Sequence, residues 1–321
     1  MATPHRIDVH HHFVPQVYKD ALIAMGSFCP APGYQPPLQN WTVERSLDQM
    51  DQAGIATSMI SVTTPGIHFG NDEAAKKLAR QCNDAGAKMV QDRPRRFGLF
   101  AALPLPDVDN SLNEIAYALD QLKADGIGLY TNYEAGSVKF LGDPAFAPVL
   151  EELNRRKALV FVHPTSCLCC TNLQPDIADA IIEYGTDTTR TIASLVFGGA
   201  AARYPGIRYI FCHAGGTMPY LIQRFIDFSG RDKGATRAAM PNGMMHELTR
   251  FYYDLAQTAH PGPVGALRQI VPLSQIVFGT DYPYGAGCVD QANRVAACGF
   301  TAEELAAVDR TNALKLLPRF A

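Results

Sequence analysis

Short runs of β-branched and aromatic residues recur along the chain, separated by stretches in which apolar residues return every third or fourth position. Eight such runs read as strands: Ile7 to His12, Thr57 to Val62, Phe97 to Leu103, Ile127 to Tyr130, Leu159 to His163, Ile207 to His213, Phe251 to Leu255 and Ile276 to Asp281. Helix periodicity fills the intervals, for example Asn71 to Gln91, Leu112 to Ala124 and Ala145 to Arg156. This βαβ alternation predicts an α/β protein with a parallel sheet, and a (β/α)8 TIM barrel is its simplest closure. Thr301, followed three residues later by Glu304, opens an amphipathic C-terminal helix running to about Leu317, expected to pack on the outside of the barrel.

Two segments exceed the bare barrel. Residues 14 to 40 carry Pro15, Pro30, Pro32, Pro36 and Pro37 with Phe28 and Tyr34, which predicts an ordered, Pro-rich loop or insertion after strand one that roofs a pocket. Residues 229 to 250, rich in Gly, Met and charge, form a second excursion before strand seven. No internal repeat, low-complexity tract or linker divides the sequence, so residues 1–321 read as a single domain.

Composition narrows the partners. A hydrophobic content of 47% fills a sizeable core, and 28 Lys and Arg against 31 Asp and Glu leave a net charge of −3 with no basic run to neutralise a row of phosphates. Nucleic acid is therefore not an expected partner. The N-terminus lacks an apolar signal core and no stretch approaches the roughly 18 apolar residues a membrane span needs, so the reading is a cytoplasmic protein. Eight cysteines without a secretory signal read as thiols rather than a disulfide framework. Cys167, Cys169 and Cys170 cluster after His163, but CLCC lacks the second pair of a zinc knuckle and reads as loop packing.

The chemistry concentrates at strand ends. In an extended strand side chains alternate, so His10 and His12 share one side while His11 faces away as a packing or surface residue. His163 ends a wholly apolar run, and Pro164 forces it to stay extended. Asp281 follows IVFG, where a carboxylate needs a cation or a donor to be buried. These four predict one divalent metal ion held where barrel strands meet their loops. His213 closes YIFC ahead of Gly215 and Gly216, and reads as a catalytic or supporting histidine rather than a ligand. His5, His68, His246 and His260 have loop or surface contexts. Strand four, GIGLYTNY, has no lysine to bridge a second ion, which favours one metal; HPTS after strand five lacks the glutamate of deaminases.

The segments IDVHHHFVP, LVFVHPTS, YIFCHAGGTMPYLIQRF and VFGTDYPY together resemble the amidohydrolase-related decarboxylases, a group that includes aminocarboxymuconate semialdehyde, resorcylate and carboxyvanillate decarboxylases. The resemblance spans nearly the whole chain. It implies a TIM barrel with one divalent ion on His10, His12, His163 and Asp281, and His213 as the catalytic histidine; three imidazoles and one carboxylate suit zinc first, with manganese or iron as alternatives. It also implies a homodimer in which Arg224 reaches the neighbouring active site to hold a substrate carboxylate; Arg45 has no clean match. GLYTNYEAGSVKFLGDPAF and HPTSCLCC are most similar to the fungal 6-methylsalicylate decarboxylases of that group.

The expected activity is non-oxidative decarboxylation of a small aromatic acid, 6-methylsalicylate to 3-methylphenol and carbon dioxide being the specific case. Asp281 is the expected proton donor, hydrogen-bonded to His213, and Phe13, Phe28, Tyr34 and Tyr133 are expected walls for the aromatic ring. The same ligands also suit a metal-dependent hydrolase of a lactone or amide, in which the ion activates water. A third reading, an inactive barrel used as a scaffold, predicts missing ligands, and none is missing.

Overall fold

The structure is a computed structural model that describes residues 5–25, 38–134, 136–171, 173–229 and 238–321. Its strands are β1 (Arg6–His12), β2 (Ile55–Ser61), β3 (Phe97–Ala102), β4 (Gly126–Tyr130), β5 (Asn132–Glu134), β6 (Val138–Phe140), β7 (Leu159–His163), β8 (Arg208–Phe211), β9 (Tyr252–Asp254) and β10 (Ile276–Val277). Eight of them form one parallel sheet in the order β1-β2-β3-β4-β7-β8-β9-β10. The ring closes where Val9 N donates to Phe278 O at 3.0 Å and His12 N donates to Tyr282 O at 2.7 Å. Every predicted strand is present in this (β/α)8 barrel. The last one is shorter than its apolar run because the chain leaves strand geometry to bring the Asp281 amide onto His10 O at 2.7 Å.

Helices α1 (Gln16–Ala24), α2 (Val43–Gln52), α3 (Asp72–Asp92), α4 (Val108–Ala116), α5 (Ala147–Arg155), α6 (Asp179–Phe197), α7 (Ala200–Arg203) and α8 (Met218–Ser229) account for most of the connections up to the excursion before β9. Asn71 caps α3 by accepting from Ala74 N at 2.9 Å, and Ala75, Leu78, Ala79, Cys82 and Met89 recur on its buried face. Gly86 lets this helix approach the barrel: a Cβ there would lie 2.7 Å from Leu99. No helix among the described residues is long and apolar enough to cross a membrane.

Inside the ring, Ile7, Val9, Met59, Phe100, Leu159, Phe161, Ile210 and Val277 form an apolar cluster of their own, with Phe100 and Phe161 stacked at 5.2 Å. Gly126 makes room for it, since a Cβ there would meet Leu159 O at 2.4 Å. The C-terminal segment completes this cluster. Thr301 and Glu304 form the expected capping box, and helical segments follow through Leu316. Ala313, Leu316 and Leu317 then join the interior residues, so the segment closes the floor of the barrel rather than lying along its outer wall. Burial of the otherwise open apolar lining favours that position. Asn312 fixes it by donating to Ile276 O at 2.9 Å.

β1 carries an irregularity that shapes everything above it. Asp8 and His11 pair with Ser58 and Ile60, so three steps along β1 match two along β2, the signature of a β-bulge. Val9 and His10 consequently both turn inward: Val9 joins the interior cluster, and the His10 ring lies 5.0 Å from that of Phe161. Asp8 and His11 turn outward. There His11 Nδ1 meets Asp8 Oδ2 at 2.9 Å, its Nε2 meets Ser46 Oγ of α2 at 2.7 Å, and Thr280 Oγ1 donates to Asp8 Oδ2 at 2.6 Å. His11 is thus a fully buried packing residue facing away from its neighbours, as alternation predicts.

Three local features differ from expectation. Part of the Pro-rich insertion is helix: α1 buries Tyr18 and Leu22, and Tyr18 Oη donates to Thr63 O at 2.9 Å. Phe28 and Tyr34 lie outside the described residues. The excursion before β9 contains a helix, Met244–Arg250. Finally, β5 and β6 form an antiparallel hairpin after β4, with strands too short for an alternation signal.

Candidate metal centre

His10, His12, His163 and Asp281 arrive from three strand ends and meet at the mouth of the barrel. One nitrogen from each imidazole and one carboxylate oxygen all lie within 4.8 Å of one another. Asp281 Oδ1 stands 3.0 Å from His10 Nε2, 2.9 Å from His12 Nε2 and 3.9 Å from His163 Nε2. All four side chains are buried. Asp281 adopts φ +60°, a conformation uncommon outside glycine and found where the surrounding structure imposes it.

The remaining ring nitrogens determine which way the lone pairs point. His10 Nδ1 meets Asp254 Oδ2 at 2.9 Å, His12 Nδ1 meets Ser61 Oγ at 3.2 Å, and His163 Nδ1 meets Pro164 O at 2.8 Å. With the proton on Nδ1 in each ring, all three Nε2 lone pairs converge on Asp281 Oδ1. Such a buried set of acceptors calls for a positive charge among them. His163 Nε2 is moreover buried without a hydrogen-bond partner. The donor set, three imidazoles and one carboxylate oxygen, fits a single divalent cation.

Electrostatics follow the same division. Burial drives His163 down to about 3 and also lowers His12, which keeps both rings neutral. Burial opposes charge on His10 as well, but Cys212, Asp254 and Asp281 raise it well above its ordinary value. For Asp281 burial works upward and is outweighed by His10 first and then by the proximity of His12 and His163, so its carboxyl lies well below the usual carboxylate range. Asp281 is an anion.

His213 stands on the other side of that anion. Its Nε2 lies 3.4 Å from Asp281 Oδ2, and Gln257 Nε2 donates to the same oxygen. The backbone at His213 has φ +53°, and its amide donates to Asp254 Oδ1 at 3.0 Å. A cavity of about 680 Å³ opens over the cluster, lined by His163, His213, Asp281, Tyr184, Gln257 and Tyr284 among others. That volume suits a small organic ligand. His10 and His12 form its hidden base.

The other sequence-predicted contacts lie elsewhere. Phe13 is a core residue whose ring end stands 3.1 Å from where a Gly86 Cβ would be, because the residue after His12 points outward. Tyr133 borders a separate cavity of about 180 Å³, its hydroxyl accepting from Tyr130 N at 2.8 Å. Neither lines the larger cavity. Arg224 is exposed on α8, its guanidinium 5.6 Å from the Phe228 ring, and Arg45 is exposed on α2.

Asp254 and Gln257 were not anticipated. Asp254 is fully buried at the end of a strand, the same signal that singled out Asp281, and it ties His10 to the His213 turn. Gln257 carried no signal, since its value lies in reaching Asp281 across the barrel mouth.

Residues 7–319 match the family model described as Amidohydrolase. The 6-methylsalicylic acid decarboxylase of Aspergillus aculeatus is 37% identical, over 98% of this chain and 96% of that protein. That of Penicillium expansum is 35% identical, again over 98% and 96%. Among solved structures, 2,6-dihydroxybenzoate decarboxylase complexed with 2,6-dihydroxybenzoate superposes with a TM-score of 0.88 at 20% identity, covering 98% of this chain and all (100%) of the other. The 5-carboxyvanillate decarboxylase of Novosphingobium aromaticivorans, complexed with manganese, gives 0.86 at 21% identity over 98% and 96%.

Proposed function

The chain belongs to the amidohydrolase family, and from that membership and the site we propose a metal-dependent, non-oxidative decarboxylase of a hydroxybenzoate-type acid. The substrate of the proposal is 6-methylsalicylate, with 3-methylphenol and carbon dioxide as products. Identity of 35–37% over nearly full length to two 6-methylsalicylic acid decarboxylases supports this choice. A lactone or amide hydrolase is not favoured.

The observation that carries the chemistry is the division of labour within Asp281. One oxygen faces the three histidines, and the other faces His213 and Gln257. His10, His12, His163 and Asp281 would hold one divalent ion, which when bound supplies a Lewis acid for a carboxylate and neighbouring phenolic oxygen. Asp281 is ionised at rest, so the proton it passes to the ring carbon arrives from His213. That carbon gains the proton, the bond to the carboxylate breaks, and its electron pair returns to the ring as carbon dioxide leaves. Gln257 holds Asp281 Oδ2 in the transfer position, while Tyr184 and Tyr284 wall the cavity. Zinc is the first candidate ion; manganese, present in the carboxyvanillate enzyme's structure, is the second.

A homodimer belongs to the same proposal. Among the described residues none lining the cavity is Arg or Lys, although the substrate is an anion. Arg224 lies on an exposed helix face with Tyr220 and Phe228, an arrangement suited to entering a neighbouring subunit's cavity. Arg224→Ala is expected to raise KM, and light scattering reports the dimer. The sequence reading of a cytoplasmic enzyme is retained with it.

Carbon dioxide release from 6-methylsalicylate and other hydroxybenzoates, measured beside a panel of lactones, tests the activity, with 3-methylphenol identified by mass spectrometry. Lactone opening without carbon dioxide release overturns it. Elemental analysis of purified protein identifies the ion.

A further inference from the structure

The Cys167–Cys170 turn has no part in the chemistry above. Cys167 is its inward anchor: the amide and thiol donate to the buried Asp187 carboxylate at 2.8 and 3.2 Å, and the carbonyl accepts from Cys170 N at 2.8 Å and Thr171 N at 3.0 Å. Arg190 pairs with Asp187 and holds that carboxylate in place. The resulting 3-10 turn, Leu168–Cys170, presents Cys169 exposed and Cys170 half-buried, with their Sγ atoms 3.6 Å apart.

That spacing selects a chemistry. A disulfide needs its sulfurs at about 2.05 Å, so the turn holds an open dithiol. Two sulfurs 3.6 Å apart, each about 2.3 Å from a shared soft atom, subtend about 100° at it, the angle of a pyramidal or tetrahedral centre. Among the described residues no third His, Cys, Asp or Glu joins the pair within ligand range. A four-coordinate metal would lack half its shell. A trivalent arsenic that carries one organic group needs only two thiolates.

We propose that Cys169 and Cys170 form a bidentate site for a monoorgano trivalent arsenical, separate from the metal centre and independent of the decarboxylase reading. Both thiol protons leave with the arsenoxide oxygen as water, two As–S bonds replace the As=O bond, and arsenic stays trivalent.

The metal-loaded protein is treated with phenylarsine oxide in excess monothiol and weighed intact. One adduct is expected, equal to the reagent less one water, removed by a small dithiol and protecting Cys169 and Cys170 from alkylation in the mapped peptide. Cys169→Ser and Cys170→Ser should each abolish it, while Cys298→Ser should keep it. A wild-type protein that releases the reagent to monothiol, or a Cys169→Ser/Cys170→Ser double variant that retains it, overturns the proposal.

Discussion

At the mouth of the barrel, buried polar atoms crowd together: three imidazoles converge on Asp281, and His213, Gln257 and Asp281 take φ of +53°, +52° and +60°. At the floor, Ile7, Leu159 and Val277 meet Leu316 and Leu317 in a cluster of side chains without polar groups. The same strands serve both ends, since Leu159 and His163 lie on β7 and Ile7 and His12 on β1. Apolar burial at the floor therefore supports the strained, charge-bearing geometry at the mouth.

Substitutions at each end separate the two roles. Asp281→Asn removes the anion that faces both the histidines and His213, and is expected to slow carbon dioxide release by about 10²–10⁴-fold; ordinary turnover by this variant would remove the mouth from the chemistry. Leu316→Ala acts at the opposite end. It should cost about 2–5 kcal/mol in denaturant unfolding while the folded fraction keeps its kcat. A loss of kcat without loss of stability would mean that the floor is not merely a support.

Asp254→Asn weakens the grip on His10 and the His213 turn, with an expected drop of about 10–100-fold in metal affinity by competitive chelation. Unchanged affinity would show that the contact positions nothing. His11→Ala breaks the chain from Ser46 to Thr280 and should cost about 1–3 kcal/mol of stability with metal stoichiometry intact; loss of the ion would place His11 on the wrong side of β1. The smallest effect is at Glu152, far from both ends, whose carboxyl Arg155, then Arg156, hold at about 2 against burial. Because the folded value is depressed, its contribution is full above the ordinary 4.5 and disappears as pH falls toward about 2. Glu152→Gln should abolish that acid-side loss, worth at most about 1 kcal/mol for a partly exposed pair.

Much of this was readable beforehand, and the failures have definite causes. All eight barrel strands were visible because each is an apolar run bounded by turn residues. Helix α1 was hidden by the prolines around it, and the β5–β6 hairpin by strands of three residues each. The four clustered side chains were nameable because a His or Asp ending an apolar strand is conspicuous. Phe13 and Tyr133 were aromatic residues close in sequence to those strand ends, yet their rings point into the core and into a side cavity. Asp254 carries the same signal, a carboxylate that ends an apolar strand, but its role lies in the pairing with His10 that only barrel closure creates.

Alternation along an extended backbone is a local covalent property, so the sequence alone determined that His10 and His12 share a side, that His11 opposes them, and that helices separate the strands. Tertiary structure alone decided how remote segments register: the bulge that turns Val9 and His10 inward together, the pairing of Asp254 with His10, the reach of Gln257 to Asp281, and the closing of the floor by Leu316. Those contacts arise when a barrel closes and minimises its exposed apolar surface, and that balance is struck by the whole chain rather than by any stretch of it.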